Sequence, residues 1–509
     1  MTAGSYRVRI FLTCWIIFGL HFATDFVREH YLVLSIADNF SFSLDGYEDL
    51  HPDIFVTESH GTHHGANPGA SMIAAVPYLV FKPLIDAIDE RVQQRRAAAG
   101  GSLTAVYNDP RPMRVEFFRQ VRERGLDIKF GLTGLVTQVF CMAPISALSA
   151  VVMFSIFVWL GLSQRLSVWL ALLYAVGTPV LFRTAFLNQN LMVGIFALFA
   201  FVLLWRPYSD VRLGIRSRYA LAGLLGGMCL LCDYSGALPL ALIGVYGLVR
   251  RTDEAGLARG ILDSLWYAAG AALPICMLLF YQYQSFGNPF YPPQHYMPPV
   301  EWIEIGYQGV GGPQLELLKM LWFDHRFGLF FVAPVLLLAL LAPVLQYRGS
   351  NIVPLRETLF ILLIFLAVSI FFSSVQYTRL QWNTGIRYLM AIVPLLYILA
   401  GAVLARMPRL LAYPLAVIFV AGSWAQAMVR SEPAVLDKLV RVFLEGFQLP
   451  WLGTLSRMAV QYVPFLDGQR ASALPFLALA GALIYGIWTI RSPGESLAGP
   501  EVKMQESGK

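Results

Sequence analysis

Charge is what this sequence has least of. Of its 509 residues, 14% are Asp, Glu, Lys or Arg, where a soluble chain carries about 25%. Hydrophobic residues make up 57% and mean hydropathy is +0.59. A globular core cannot hide that much apolar sequence, so a soluble fold is excluded and lipid is the expected solvent. Cysteine is also sparse. All five (Cys14, Cys141, Cys229, Cys232 and Cys276) fall inside apolar runs, which implies neither a disulfide framework nor a thiolate metal site. Even Cys229-x-x-Cys232 reads as two small buried hydrophobes.

Several signatures are missing altogether. There is no Gly-x-x-x-x-Gly-Lys-Ser/Thr loop, no dinucleotide fingerprint and no Arg-rich voltage-sensor helix, which removes the common nucleotide-driven and voltage-sensing classes. Charges inside the apolar runs are few and no inverted repeat is evident, which argues against a proton-coupled transporter. The balance of 38 basic to 32 acidic residues, +6 overall, reflects Lys and Arg flanking membrane spans and carries no nucleic-acid inference.

What is present is a series of apolar runs. Ile10 to Ala23 is a retained first span, because Arg7 and Arg9 precede it and no small-residue cleavage pattern follows. Others lie at about 131–160, 168–187, 191–206, 219–232, 236–249, 262–281, 328–346, 357–374, 388–405, 410–428 and 472–490. The expected fold is therefore an all-α polytopic membrane protein with about twelve transmembrane helices. The two runs flanking Asp233 are short for a bilayer about 30 Å thick.

Arg206, Arg212, Arg216 and Arg218, then Arg250 and Arg251, then Arg406 and Arg409 mark cytoplasmic loops. Parity from these anchors gives a cytoplasmic N-terminus and first span (1–24), a first extracytoplasmic loop (25–130) with an interfacial helix at 70–88, and a transmembrane core (131–281). A second outer loop (282–327) and a C-terminal transmembrane region (328–490) follow, the latter with an outer loop at 429–470. The tail 491–509 is then cytoplasmic. Against this stand nine basic and four acidic residues in 91–129, although long loops obey the charge rule poorly.

The first outer loop is acidic within a basic protein. Between Asp25 and His64 lie eight acidic residues, five histidines and one arginine, Arg28. Most of these carboxylates need be no more than solvated. Asp25 directly follows a span, where desolvation is costly, and a carboxylate there could take a proton from an acceptor hydroxyl; a helix cap or a partner for Arg28 is the plainer role. Candidate substrate-binding groups are Arg28, Glu29, Asp45, His60, His63, His64 and Asn67 in this loop, and Asp233, Asn288, Arg387 and Tyr388 beyond it. His60, His63 and His64, with Glu58 and Asp53, offer ligand types for a divalent metal, but at no helical His-x-x-x-His spacing. Arg387, at the outer end of a span, could hold a phosphate bidentately or simply snorkel. The loop 281–326 mixes turns with aromatics, suited to sugars as well as to interfacial anchoring.

Taken in order, these features resemble the GT-C superfamily of multispanning glycosyltransferases, of the protein-mannosyltransferase and aminoarabinose-transferase type. The residues that carry the likeness are Asp25 at the end of the first span, Arg28-Glu-His-Tyr31, Ser41-Phe-Ser-Leu-Asp45, His60-Gly-Thr-His-His-Gly-Ala-Asn-Pro68-Gly69, Phe286-Gly-Asn-Pro-Phe, Phe327-Gly-Leu-Phe-Phe-Val-Ala-Pro334 and Gly385-Ile-Arg387-Tyr-Leu. The resemblance implies a GT-C module in the plasma (inner) membrane that transfers a sugar from a polyprenyl-phosphate donor, usually with inversion, to a glycan, lipid or protein acceptor on the extracytoplasmic face. Asp25 would be the catalytic base and Arg387 a ligand of the donor phosphate. Where many members carry an acid in the second outer loop, this chain has Asn188-Gln-Asn190, which leaves any divalent metal in doubt. Two other classes stay open. A polysaccharide polymerase or ligase with a pyrophosphate-linked donor would rest on Arg or His in 281–326, and a non-enzymatic lipid or sugar transporter would need a polar through-path.

Overall fold

The computed structural model describes residues 3–98, 107, 109, 111–205, 213–299, 301, 304–349, 352–380, 386–459 and 472–490. The tail 491–509, residues 460–471 within the segment expected to form the last outer loop, and Gln381–Gly385 fall outside the described residues. The described residues are mostly helical, and their one two-stranded sheet is the antiparallel hairpin Ile54–Thr57 with Gly61–His64. Among the described residues, six helices are long and apolar enough to cross a membrane: Gly69–Ala98, Asp127–Trp159, Ile215–Cys232, Leu257–Phe286, Leu355–Ser373 and Arg409–Met428. Shorter apolar helices include Gln164–Val176, Gln189–Trp205 and Leu474–Thr489.

Their outer surfaces are those of a protein immersed in lipid. On Leu355–Ser373, Leu355, Leu359, Leu363, Leu366 and Ile370 are exposed at helical spacing while Ile361, Ile364, Phe365, Val368 and Phe372 are buried opposite. A helix apolar on both faces, one of them unpacked, fits a bilayer and not water. Cys276 belongs to the same class of surface, an exposed thiol on an apolar helix.

Several apolar runs are interrupted. The run 168–187 ends its first helix at Val176, with Gly177 and Pro179 following, and resumes as the single turn Val180–Arg183. The run 328–346 divides into Leu329–Val332, a 3-10 stretch Pro334–Leu341 and Ala342–Tyr347, as expected where prolines withhold backbone donors. The two runs beside Asp233 are longer than their apolar lengths, Ile215–Cys232 and Ala237–Ala255, because Arg, Ser, Tyr and Glu extend a helix past its hydrophobic part.

Tight packing is concentrated where Ile215–Cys232 meets Leu257–Phe286. A Cβ on Gly223 would fall 1.9 Å from the Tyr267 carbonyl oxygen, and one on Gly270 1.9 Å from that of Ala220. Small residues allow this backbone approach, which dispersion then stabilises. Gly223→Val is therefore expected to destabilise by roughly 3 kcal/mol or more, read as a lowered thermal midpoint in detergent; an unchanged midpoint would contradict the crossing.

The helix Gly69–Ala98 runs unbroken through Pro77 and Pro83 and is about 45 Å long at 1.5 Å per residue. Gly69 abuts the backbone of Leu231 and Cys232, where Ile215–Cys232 ends, and Asn67 donates to the Leu230 carbonyl at 2.8 Å. Farther along, Phe81 stacks on Phe140. Lys82 pairs with Asp38 at 2.9 Å and Arg96 with Asp127 at 2.7 Å. The helix is thus strapped to the residues that follow the first helix and to the start of Asp127–Trp159. Its exposed side carries Val76, Leu79, Val80, Leu84 and Ile88, an apolar stripe at helical spacing.

Candidate functional site

The first helix ends at Leu20. Beyond it the chain is pinned by the Ala23 N–H, which donates to the Ala185 carbonyl at 2.8 Å. Underneath, Gln138 lies in a π-helical turn, Gln138–Met142, and donates to the carbonyls of Phe18 (2.8 Å) and Thr184 (3.2 Å). These contacts fix Thr24 and Asp25 against the segment 180–186.

Asp25 is held by two guanidinium groups from distant parts of the chain. Arg114 donates to Oδ1 through a short hydrogen bond, and Arg430 Nε donates to Oδ2 at 2.9 Å. Each arginine is itself positioned: Arg114 donates to Thr24 Oγ1 at 3.0 Å, and Arg430 lies 5.0 Å over the Phe186 ring. Burial alone would raise the Asp25 pKa. The charges of Arg430 and Arg114, with Arg111 behind them, outweigh burial and hold it at about 2. The carboxylate is therefore ionised at any ordinary pH.

Two further cations lie behind this pair. Arg183 is 2% exposed and its Nε donates to the Ile386 carbonyl at 2.6 Å. Lys438 is fully buried, and its Nζ has no hydrogen-bond partner. Burial, reinforced by the charges of Arg430 and Arg183, pushes the Lys438 ammonium down to about 7, with Glu432 and Asp437 opposing weakly. Lys438 is delivered by Val435–Glu445, a helix with Leu436, Val440, Phe443 and Leu444 exposed on its other side, the pattern of a helix lying in a membrane interface. On the rim, Asp109 takes Arg111 at 2.8 Å, Arg457 through a short contact and Arg114 at 3.9 Å.

A polar shelf adjoins this cluster of charges. Arg28 bridges Glu29 (3.1 Å) and Asp53 (2.7 Å). His64, fully buried, feels the charges of Arg28, Glu29, Asp53 and His51, and burial dominates, holding its pKa at about 3. Its Nδ1 accepts from the Ala66 N–H at 3.0 Å, so Nε2 carries the proton and points it at no partner. Arg387 stacks 5.1 Å over the Tyr388 ring and donates to the Leu380 carbonyl at 3.4 Å. Its charge reaches both Asp53 on the shelf and Arg183 in the cluster around Asp25. Asp233 caps the turn at Tyr234–Gly236 by accepting from the Ser235 N–H (2.9 Å) and hydroxyl (2.7 Å), and Gln189 donates to its other oxygen at 2.8 Å.

Of the residues singled out in the sequence, Asp25, Arg28, Glu29, His64, Asp233, Arg387 and Tyr388 thus converge at one end of the bundle. The others are engaged locally. Asp45 accepts from the Thr62 N–H at 2.9 Å, and Asn288 accepts from the Phe290 N–H at 2.9 Å. Asn67 is tied to Leu230 as described. The histidine metal set is not assembled: His63 lies against the carbonyls of Phe42 and His60, while His60 faces Ser59. Among the described residues no group of three His, Cys, Asp or Glu side chains converges on a metal position. The sequence reading missed Arg114, Arg183, Arg430 and Lys438. Arg183 carried a usable signal, an ionisable residue inside an apolar run; the other three did not.

Family models, curated proteins and solved structures were all compared with the chain, and none matches it.

Proposed function

We propose that this protein is a glycosyltransferase that moves a sugar from a polyprenyl-phosphate donor to an acceptor hydroxyl, with the Asp25 end of the bundle facing outward from the plasma (inner) membrane. The reading includes a GT-C-like module of about twelve spans. One observation carries it: Lys438 is fully buried beside Arg430 and Arg183 and its ammonium has no hydrogen-bond partner, while the nearby carboxylate of Asp25 is already shared by Arg114 and Arg430. Uncompensated positive charge in a low-dielectric place is costly, and an anion delivered from the lipid side relieves it.

The chemistry follows from that arrangement. The acceptor oxygen attacks the anomeric carbon, and the bond from that carbon to the phosphate oxygen breaks. The phosphate leaves with the electron pair, and the hydroxyl proton passes to Asp25. Cations around the phosphate stabilise the charge that develops on it. With Asp25 held at about 2 it is a weak base while both arginines grip it. A donor phosphate competes for Arg430 and Arg114, and the loosened carboxylate regains basicity where the acceptor is bound.

The strapping of Gly69–Ala98 to the Asp25 end at both Gly69 and Arg96 supports placing residues 25–130 together on the outer side. A pyrophosphate-linked polymerase is less well supported, because in the 281–326 loop Arg326 is tied to Asp324 at 3.1 Å and His295 stacks on Tyr291.

The test uses the full chain in nanodiscs. Polyprenyl phosphate is expected to raise its thermal midpoint, Arg430→Gln to abolish that rise, and a panel of polyprenyl-phosphate sugars to yield transfer that Asp25→Asn lacks. Transfer retained by Asp25→Asn, or no effect of polyprenyl phosphate on the wild type, would overturn the assignment.

A further inference from the structure

At the opposite end of the bundle the helices that cross so closely at Gly223 and Gly270 separate again. Between their first turns opens a cleft of about 1070 Å³, lined by Ile215, Arg216, Arg251, Arg259, Leu262 and Trp266 among others. Its mouth is basic. Arg251 is neutralised by Asp263 at 2.6 Å, but among the described residues Arg216 and Arg259 have no acidic partner, and the Arg216 guanidinium lies 6.0 Å from the Trp266 ring. Its walls are apolar and open outward: Ile215 is 38% exposed, Leu262 and Leu265 both 59%, and Trp266 44%. Two guanidinium groups without acidic partners, lining one cleft with an apolar wall and a tryptophan, match an amphiphile whose head is anionic and whose tail is hydrocarbon.

We infer that this cleft is a binding site for one anionic phospholipid, its phosphate held by Arg216 and Arg259 and its acyl chain laid along Leu262 and Leu265. Basic pockets between transmembrane helices recognise lipid head groups by this combination of charge and shape. Free phosphate would satisfy the arginines but leave the apolar wall exposed, so the lipid is the ligand to which the cleft is complementary. The site is independent of the donor chemistry at the other end and does not rest on it.

The test is lipid retention by the purified full chain, read by native mass spectrometry in detergent with added phosphatidylglycerol or phosphatidylcholine. One phosphatidylglycerol is expected to remain bound, with a preference of about tenfold over phosphatidylcholine, or about 1.4 kcal/mol. The variant Arg216→Gln/Arg259→Gln is expected to lose that preference, whereas Arg409→Gln, an arginine elsewhere at a helix start, keeps it. Excess inorganic phosphate should not displace the lipid. Equal loss in Arg409→Gln would mean general attraction of anionic lipid to basic loops and would overturn the site, as would displacement by phosphate. Both arginines are exposed, so the double variant should fold, and an unchanged elution profile and thermal midpoint verify that it does.

Discussion

Asp25→Asn is expected to reduce sugar transfer by roughly 100-fold or more, the usual scale for losing a general base, while binding polyprenyl phosphate more tightly than the wild type. The two effects have opposite signs because Asp25 has two relationships with its surroundings. In the proposed reaction it takes the acceptor's proton, which an amide cannot do. Towards Arg114 and Arg430 it competes with the donor phosphate for the same guanidinium groups, and neutralising it leaves those groups to the ligand. A purely structural Asp25 gives a different result, with transfer and binding falling together as the protein loosens. Folding stability also has a definite sign. The carboxylate pKa is depressed from its ordinary 3.8 to about 2 in the folded chain. Its contribution, on the order of 2 kcal/mol by linkage, is therefore present above pH 4 and lost as pH falls towards 2. Asp25→Asn should flatten that acid limb. Thermal midpoints between pH 2.5 and 6 and a transfer assay on one preparation separate these outcomes.

How far the site could be read from the sequence depends on how local each signal was. Asp25 and Arg28 were visible because an ionisable residue directly after an apolar run is already anomalous. Arg387 was visible because it opens the run that becomes the helix Val393–Leu404. The apolar runs themselves located most helices, since twenty residues of hydrophobic sequence have few other uses. Their interruptions were harder: the stop at Val176 and the 3-10 stretch Pro334–Leu341 depend on how neighbouring helices satisfy freed backbone groups, which the local sequence does not encode. Arg114 and Arg430 were out of reach for a related reason. They are 89 and 405 residues from Asp25, and each by itself is an unremarked arginine in a polar stretch. Lys438 was hidden more thoroughly, because an amphipathic stretch containing Lys, Arg, Asp and Glu reads as a solvated face. The fold turns that helix so that Leu436, Phe443 and Leu444 are exposed and its lysine is buried. The histidines erred in the other direction. Three in five positions suggest a metal, but the hairpin alternates His63 and His64 to opposite faces, so they cannot converge.

Lys438 provides the second large effect. Between pH 7 and 9 the affinity for polyprenyl phosphate is expected to fall, by a factor approaching about ten per pH unit at the steepest, and Lys438→Met should abolish the slope as well as lower the affinity. The sign comes from the free and bound states. Without phosphate, burial, Arg430 and Arg183 hold the ammonium at about 7, so above that pH the amine is largely neutral. A phosphate placed against it favours the charged form, and binding must draw a proton from solution. Below pH 7 the amine is already charged and the dependence disappears. The other groups facing Lys438 are Arg430, Arg183, Glu432 and Asp437. Arg430 and Arg183 stay protonated, as guanidinium groups do in proteins, and Glu432 and Asp437 are carboxylates on its own segment. Asp25 beyond Arg430 is ionised throughout, and the second ionisation of a phosphate monoester lies near 6, below the window. Lys438→Arg makes the test sharper, since a permanent cation keeps the affinity and loses the pH dependence. Proton uptake measured calorimetrically in two buffers of different ionisation enthalpy supplies the independent readout. An unchanged slope in Lys438→Met would place the titrating group elsewhere and detach Lys438 from the phosphate.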